Sequence, residues 1–245
     1  MRADELTFKI SFFISSRQDG KAWELIKKAF SRDSSKRNII RIIMEACIQS
    51  QRGDFLENFL NKYSIKIEDV STKVFSPLHR AVIMGHTDIV EILLKHGANP
   101  NGLTPGNTRI LHIAIRCKKY DIIECLMKYG ADPNLPDSNG NYPIHIAVRT
   151  NDPNIIRILA KYGARFDVYD RDGFRPIHIA ASTGSIEVIS ALIESGDDIN
   201  ALSMNGLTPL DYALYQKTNS RQTVGLVNFI KQAGGKQSSQ ISSVT

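Results

Sequence analysis

The sequence predicts an all-α solenoid of stacked helix-loop-helix units with hairpin-like loop tips. Two markers recur along the chain at one constant interval. One is a five-residue motif that begins at positions 77, 110, 143, 176 and 209. The other is a glycine, found at the same interval as Gly97, Gly130, Gly163 and Gly196. Two independent markers in one register indicate a repeat array, in which each unit packs on its neighbours.

The five-residue motif predicts the first helix of each unit. It reads PIHIA at 143 and 176, PLHRA at 77, ILHIA at 110 and PLDYA at 209. Proline suits a first helical turn, because its missing N–H would have no helical partner there. In the central unit we expect a first helix over 143–150 and a second over 154–161, ending at Gly163, a residue type that tolerates a left-handed conformation.

The loops between units carry turn signals. The dipeptides Asn139-Gly140, Asp172-Gly173 and Asn205-Gly206 tolerate positive φ and keep the interval of the other markers, so they predict the hairpin-like tips. The two earlier loops lack this dipeptide in register, and we expect another conformation there. The helix starts also differ. Ser76 and Thr208 can cap a helix, whereas Arg109, Tyr142 and Arg175 cannot cap in the same way, so those three starts should be looser.

Residues 1–70 are less regular than the rest. Helical apolar faces run along Lys21–Phe30, Asn38–Gln49 and Asp54–Tyr63. We interpret 36–70 as a degenerate repeat and 1–35 as a helical N-terminal cap or a very degenerate repeat. An unrelated helical cap over the whole stretch is the alternative.

The regular part of the chain divides into five units and a tail. The last unit carries an insertion near 217–222, which delays its second helix to about Val224–Gln232 and marks it as a C-terminal cap. The tail is rich in Ser and Gln and is expected to be disordered. The predicted units are 71–103, 104–136, 137–169, 170–202 and 203–235, and the tail is 236–245.

At this point the units resemble ankyrin repeats, whose motif T-P-L-H-x-A recurs about every 33 residues. TPLDYA at 208–213 and SPLHRA at 76–81 come close to it, and DIVEILLKHGANPN at 88–101 resembles the second helix and exit of the family. The resemblance covers 71–235 and extends less regularly over 36–70. It implies loop tips projecting to one side, a concave surface formed by tips and first helices, and a protein-binding function without catalysis.

Composition favours a protein with a buried core in a reducing compartment. Hydrophobic residues make up 42% of the chain, and the net charge of +6 is scattered, which argues against a nucleic-acid-binding face. The three cysteines, Cys47, Cys117 and Cys125, have neither disulfide nor zinc spacing. No secretory signal or membrane-length apolar stretch is present. We expect a monomer in the cytoplasm, with the nucleus as an alternative, or the host cytosol for a secreted effector.

The repeated histidines His79, His112, His145 and His178 do not predict a metal site. Stacked helices lie ~8–10 Å apart, whereas a zinc–nitrogen bond is ~2.0–2.1 Å long. The resemblance implies that these histidines, like Gly97, Gly130, Gly163 and Gly196, have a structural role, the histidines by bonding to backbone. No nucleophile–base motif or phosphate-binding glycine loop occurs. The sequence therefore predicts no enzyme activity, no cofactor and no small-molecule substrate.

The variable positions of the resemblance give the predicted partner-binding residues. Phe75, Phe174 and Leu207 are apolar at tip positions that should face water, and Arg116 and Arg149 should form a basic stripe. A partner protein with acidic and apolar groups is therefore expected. The predicted residues are Lys73, Phe75, Met84, Thr108, Arg116, Asn139, Asn141, Arg149, Arg171, Asp172, Phe174, Leu207 and Tyr215.

Three asparagines form a separate prediction. Asn101, Asn134 and Asn200 end the exit turns, with a leucine eight residues earlier in each unit. This context resembles that of ankyrin-repeat asparagines hydroxylated in animal cells, so the three are candidates for that modification.

Three functional hypotheses stay open from the sequence. The first is a non-enzymatic scaffold or adaptor, a regulator, or a pathogen effector acting on a host protein. The second makes the repeats a targeting arm for an N-terminal functional module over 1–70. The third, nucleic-acid association, depends on net charge alone.

Overall fold

A computed structural model describes residues 3–31, 36–71, 76–104, 106–215 and 221–241. These residues form helices, turns and loops, with no β-strand among them, so the predicted all-α class is confirmed. The helices are α1 Ala3–Ser15, α2 Asp19–Ser31, α3 Lys36–Gln49, α4 Gly53–Tyr63, α5 Ile67–Val70, α6 Pro77–Met84, α7 Thr87–Lys95, α8 Ile110–Arg116, α9 Tyr120–Lys128, α10 Pro143–Arg149, α11 Pro153–Lys161, α12 Pro176–Thr183, α13 Ile186–Glu194, α14 Pro209–Tyr215, α15 Arg221–Gln232 and α16 Ser238–Ile241.

The helices belong to two compact units. The N-terminal unit comprises Met1–Gly106 with Lys128–Gly130, and the C-terminal unit comprises Asn107–Met127 with Ala131–Thr245. Each is built from pairs of helices, and we call the members of a pair its first and second helix.

In the N-terminal unit the first helices α1, α3 and α6 pack side by side, and the second helix α4 packs on α7. Residues before 71 therefore share packing contacts with the regular repeat formed by α6 and α7. Their helices bury apolar side chains on the shared faces, among them Ile10, Ile26, Ile43 and Leu56.

An aromatic cluster joins α2 to α4 in this unit. The Trp23 ring stacks on Phe55 with centroids 4.7 Å apart, and Phe30 packs on Tyr63 at 4.4 Å. The Lys62 ammonium lies 4.5 Å from the Trp23 ring centroid, at cation–π distance. The irregular N-terminal sequence thus fixes its second helices by aromatic packing.

A buried arginine also ties the N-terminal helices together. The side chain of Arg52, just before α4, is only 3% exposed. It donates to the Ile14 carbonyl at 2.8 Å, to Asp19 at 2.8 Å and to Asp54 at 2.9 Å. One side chain thereby connects the end of α1, the start of α2 and the start of α4.

In the C-terminal unit the first helices α8, α10, α12 and α14 pack in sequence, α11 packs on α13, and α14 packs on α15. Ion pairs link successive second helices on the surface. Lys161 on α11 lies 3.3 Å from Glu124 on α9, and Arg157 on α11 lies 3.0 Å from Glu194 on α13. These two ion pairs therefore link three successive second helices on this side of the repeats.

The helix boundaries follow the sequence predictions closely in the central unit, where α10 and α11 span Pro143–Arg149 and Pro153–Lys161. The last second helix begins at Arg221 rather than near Val224. Part of the predicted insertion, residues 217–220, lies outside the described residues.

The C-terminal tail 236–245, expected to be disordered, needs a correction over residues 236–241, whereas residues 242–245 lie outside the described residues. It contains the short helix α16, and Asp211 Oδ2 accepts a hydrogen bond from the Ser238 N–H at 2.9 Å. Asn200 Oδ1 accepts another from the Lys236 N–H at 2.7 Å. Backbone bonds to two repeats order this segment, which composition alone does not reveal.

None of the described helices is both long and apolar enough to cross a lipid bilayer.

Candidate protein-binding surface

Three histidines of the C-terminal unit bond their first helices to loop backbone further along the chain. The Nε2 atom lies 2.8 Å from the Asn141 carbonyl oxygen for His112, 3.3 Å from that of Val168 for His145, and 3.0 Å from that of Ala201 for His178. The His112 bond reaches the tip of the next repeat, whereas the His145 and His178 bonds reach the end of their own repeats. His178 Nε2 also lies 3.1 Å from the Leu207 carbonyl oxygen of the next repeat.

Two of these histidines correct the expectation of looser helix starts, at Tyr142 and at Arg175. At the Arg109 start, His112 Nδ1 has no hydrogen-bond partner within the described residues, so the expectation is not corrected there. Nδ1 of His145 accepts from the Tyr142 N–H at 3.2 Å, and Nδ1 of His178 accepts from the Arg175 N–H at 3.3 Å. The third helical residue therefore supplies the bond that the N-cap side chain lacks. This arrangement leaves the ring proton on Nε2, and burial lowers the pKa of both histidines to about 4.

The first and last repeats use other groups at these helix starts. The Ser76 hydroxyl accepts from the His79 N–H at 3.3 Å, and the pKa of the half-buried His79 ring is lowered by burial. In the last repeat Asp211 stands where the other repeats have histidine. It accepts bonds from the Thr208 N–H and hydroxyl, both at 3.0 Å.

The repeated glycines end the second helices as the sequence predicts. Their φ angles lie in the left-handed region, which a residue without Cβ adopts at low cost. The values are +83° for Gly97, +87° for Gly130, +80° for Gly163 and +96° for Gly196. The loop before α8 was expected to adopt another conformation, because its glycine, Gly106, lies one residue before the register position of Gly140. Asn107 stands at that register position and takes positive φ like Gly140, Gly173 and Gly206, so the expectation is wrong at this residue.

The loop tips are organised by residues that the sequence analysis did not single out. Asp137 Oδ1 accepts from the Asn139 and Asn141 N–H groups at 2.9 and 3.0 Å. Asp170 Oδ1 accepts from the Asp172 and Phe174 N–H groups at 3.0 and 2.9 Å. Such Asx bonds fold a tip locally.

A signal for these tip residues was present in the sequence. Asp137, Asp170 and Ser203 keep the repeat interval and lie just before the turn dipeptides. Ser203 has the corresponding role in the last repeat, where its hydroxyl accepts from the Leu207 N–H at 3.3 Å.

The predicted basic stripe of Arg116 and Arg149 is not uniform. Arg149 donates to Asp170 Oδ2 at 2.7 Å and to Asn141 Oδ1 at 3.0 Å, and the Asp170 side chain is fully buried. Arg116, at the end of α8, is exposed and makes no ion pair within the described residues. Arg149 therefore holds neighbouring tips together, and Arg116 is available to a partner.

Two apolar tip residues expected to face water are half-buried instead. Phe174 packs edge-on against Tyr212 of the next repeat, with ring centroids 5.3 Å apart. Leu207 is half-buried, and its carbonyl oxygen lies 3.1 Å from His178 Nε2. Contacts across the repeat boundary cover both residues, because adjacent tips touch: the Met204 N–H donates to the Gly173 carbonyl at 3.0 Å.

The remaining predicted residues divide by exposure. Met84, Asn139, Arg171, Asp172 and Tyr215 are exposed, Tyr215 with 71% of its surface accessible. Thr108 and Asn141 are half-buried. Lys73 and Phe75 lie outside the described residues.

The three candidate asparagines carry bonds between repeats. Each donates a hydrogen bond from its side-chain Nδ2 to a glycine carbonyl at 3.0 to 3.1 Å. Asn101 donates to Gly130, Asn134 to Gly163 and Asn200 to Gly234. Their position at repeat junctions gives them a structural role, and their hydroxylation stays a prediction.

Within the described residues, no group of three or more His, Cys, Asp or Glu side chains is arranged to hold a metal ion. Cys47 is buried, where burial raises the pKa of its thiol, and Cys117 is exposed.

Comparison with known proteins agrees with this architecture. A family model described as ankyrin repeats (3 copies) matches residues 43–137, 111–203 and 144–228. Among solved structures, the ankyrin repeat domain of Bcl-3, a member of the IkappaB protein family, is similar in fold, with a TM-score of 0.74 and 17% sequence identity. The match covers 89% of this chain and 97% of that one. A comparison with curated proteins gave no significant match. Since the family model covers well over half of the chain, this protein belongs to the ankyrin repeat family.

Proposed function

We propose that this protein is a non-enzymatic binding protein that holds a partner protein on one surface of its C-terminal unit. Ankyrin repeats generally act as protein–protein interaction modules. The surface consists of the C-terminal ends of the first helices and the neighbouring loop tips. A cellular adaptor or regulator, or an effector acting on a host protein, would use it in the same way.

The observation that carries the proposal is a column of exposed side chains with the repeat period. Arg116, Arg149, Ser182 and Tyr215 follow one another at the repeat interval, at or near the ends of α8, α10, α12 and α14. All four are exposed, and their helices pack side by side. We call these residues the first-helix column. Exposed Arg and Tyr are residue types that dominate the binding energy of many interfaces.

The other side of the same repeats favours this choice of surface. The ion pairs Lys161–Glu124 and Arg157–Glu194 engage charged side chains of the second helices with one another. A partner bound there would have to displace or desolvate them. The first-helix column has no comparable set of ion pairs among the described residues, Arg149 excepted.

The alternative of an independent N-terminal module receives no support from the packing. Helices α3 and α4 pack on α6 and α7, and the family match begins at residue 43. Nucleic-acid association is also disfavoured, because a groove for single-stranded nucleic acid needs positive charge along its length. The column changes from arginine to serine to tyrosine instead.

A comparative pull-down from a cell lysate, quantified by mass spectrometry, tests the proposed surface. The bait is the full chain, its variant Arg116→Glu/Tyr215→Ala, and the matched control Lys231→Glu/Phe8→Ala. Lys231 matches Arg116 as an exposed cation in the last turn of a helix. Phe8 matches Tyr215 as an exposed aromatic residue, with 72% of its surface accessible against 71%. We expect a protein retained by the wild type and the control and lost from the variant. Equal retention by all three, with unchanged urea unfolding, would place binding elsewhere.

A further inference from the structure

The first-helix column is chemically polarised from one end to the other. Its α8 end is cationic, its α12 position carries the small hydroxyl of Ser182, and its α14 end carries Leu214 and Tyr215. Those two side chains are 44% and 71% exposed. Accordingly, the two ends of the column favour different groups on a bound partner.

The positive charge is concentrated at the turn between α8 and α9. Arg116, Lys118 and Lys119 are all exposed there, and we call them the basic turn. Arg116 and Lys119 make no ion pair within the described part of the chain. Lys118 lies 4.0 Å from Asp152 Oδ2, an oxygen that also accepts a bond from the Tyr120 hydroxyl. At least two cations of the basic turn therefore lack a counter-charge among these residues.

The next position of the column does not extend this charge. Arg149 is held by the buried Asp170 and by Asn141, so its positive charge is already balanced. Ser182 donates its hydroxyl to the His178 carbonyl at 2.9 Å. The charge therefore falls from the basic turn to neutrality within one repeat, and the surface then becomes apolar.

We propose, building on the proposed function, that the column binds an extended segment of a partner protein with an acidic end and an apolar end. The acidic end lies against the basic turn, and the apolar end lies against Leu214 and Tyr215. Charge complementarity selects carboxylates or phosphoryl groups at the first site. An aliphatic or aromatic side chain covers the exposed apolar surface at the second.

The spacing between the two ends follows from helix packing. Adjacent packed helices lie about 8–10 Å apart, so the three intervals from α8 to α14 span roughly 24–30 Å. An extended chain advances ~3.3 Å per residue, which places the two anchors about seven to nine residues apart. A nucleic acid does not match this pattern, because its charge repeats along the whole strand.

The proposal is tested by selecting random twelve-residue peptides, displayed on phage, on the immobilised full chain. We expect enriched peptides with two or more Asp or Glu residues separated by about seven to nine residues from an aromatic or aliphatic residue. Fluorescence anisotropy then measures the affinity of the chain for a selected peptide. The variant Arg116→Ser/Lys119→Ser should lower this affinity about tenfold and make it depend less on salt concentration. Tyr215→Ala should lower the affinity for the peptide about fivefold or more. The control Lys231→Ser should leave the affinity unchanged.

Moving the charge provides a sharper arm of the same experiment. The variant Arg116→Ser/Lys119→Ser/Ser182→Arg places a cation one helix interval from Tyr215. Selection on it should enrich peptides whose acidic and apolar residues are only about three positions apart. An unchanged spacing would overturn the proposal.

The remaining outcomes separate this proposal from the proposed function. One outcome is that the selected peptides lack the acidic–apolar spacing and still lose binding to the variant Arg116→Glu/Tyr215→Ala. That outcome would overturn the proposed acidic and apolar ends of the bound segment, and it would support the first-helix column as the binding surface. Failure to enrich peptides, or enrichment of peptides indifferent to every column variant, would count against both. Labelled single-stranded DNA bound as tightly as the best peptide would overturn the proposal in favour of nucleic acid.

Discussion

The N-terminal and C-terminal units each bury an ionisable residue in a loop, but the two residues differ in how many of their hydrogen bonds are made. In the N-terminal unit Arg52 binds a backbone carbonyl and two carboxylates at 2.8 to 2.9 Å. In the C-terminal unit the Asp197 side chain is fully buried, and Arg175 lies 3.9 Å away. Asp197 Oδ2 has no hydrogen-bond partner within the described residues. Burial of a charge is tolerated when its bonds are made, and it costs stability when they are missing.

The repeat register shows how unusual Asp197 is. Ala98, Ala131 and Ala164 occupy the same position in the three preceding repeats, each directly after the repeated glycine. All three are buried. The fold at this position therefore favours a small side chain, and a carboxylate is foreign to it. Arg52 precedes the second helix α4 at a position that holds His86, Asp152 and Ser185 in later repeats, so side chains of different kinds occur there. Its three partners belong to the N-terminal helices.

The largest effect is expected from Arg52→Met. Methionine keeps much of the apolar stem but removes the Arg52 bond to the Ile14 carbonyl, which keeps only the Arg17 N–H at 3.2 Å, and it frees Asp19 and Asp54. We expect the free energy of unfolding of the N-terminal unit to fall by about 2–4 kcal/mol. Urea unfolding followed by fluorescence measures it, because Trp23, the single tryptophan, lies in the aromatic cluster of this unit. Arg37→Met, on the exposed surface of α3, is the control. A loss under about 1 kcal/mol would show that the Arg52 bonds add little.

The opposite sign is expected for Asp197→Ala. This change removes a buried, incompletely bonded carboxylate and restores the residue found in the other repeats. We expect the C-terminal unit to gain about 1–3 kcal/mol at pH 8, measured by urea unfolding followed by circular dichroism. The reciprocal change Ala164→Asp should destabilise the protein. If Asp197→Ala destabilises it instead, the carboxylate makes a bond that the geometry does not show.

The gain from Asp197→Ala should depend on pH in a defined direction. Burial raises the pKa of Asp197 to about 7, while an aspartate in an unfolded chain titrates near ~3.9. Between these values the folded protein holds a proton that the unfolded chain has lost, so the contribution of Asp197 to stability falls as the pH rises. The variant should therefore match the wild type most closely near pH 4 and exceed it most above pH 7.

The contribution of the buried histidines to stability changes with pH in the opposite direction. It cancels when the variant is compared with the wild type. Burial lowers the pKa of His145 and His178 to about 4, so the folded protein loses stability through both residues as the pH falls from ~6.5 towards that value. They are present in wild type and variant alike. A gain that is constant from pH 4.5 to 8 would mean that Asp197 does not change its charge on unfolding.

An intermediate case is the pair of Arg149 and Asp170. Its carboxylate is fully buried, but its arginine is partly exposed. Arg149→Met should cost about 1–2 kcal/mol, because it removes a charged donor from a buried oxygen. Arg116→Met, at the same register position one repeat earlier, should stay within about 0.5 kcal/mol of wild type. Equal effects of the two substitutions on urea unfolding would remove the distinction between the two arginines.

The sequence predicted the repeat fold because period and motif are local and redundant. The glycine that ends each second helix and the proline that begins a first helix each predict their own position. Arg149 and Phe174 show what one period cannot predict. Both sit at variable positions, yet a contact with the next repeat, to Asp170 and to Tyr212, removes each from the free surface.

The same reasoning applies to the N-terminal helices. The apolar faces of α2 to α4 were readable from spacing, but the bonds of Arg52 join residues 33 and 38 positions apart in the chain. No local pattern marks such a pairing. The exposed ends of the candidate surface, Arg116 and Tyr215, were predicted from the variable positions that the resemblance implies. The exposure of a side chain that makes no ion pair or ring contact among the described residues needs no long-range information.

The smallest effect is expected from Asn134→Ala, at a neutral junction between repeats. Asn134 donates to the Gly163 carbonyl at 3.0 Å and accepts from the Arg165 N–H at 2.8 Å. Both backbone groups stay near solvent, so water can replace the lost bonds and the cost should be about 0.5–1.5 kcal/mol. Hydrogen exchange of the Arg165 amide measures it directly, with Asn154→Ala on the exposed side of α11 as the control. A cost as large as that of Arg52→Met would mean that satisfied neutral bonds at repeat junctions matter as much as buried charge. Unchanged exchange at Arg165 would mean that apolar packing alone holds this junction.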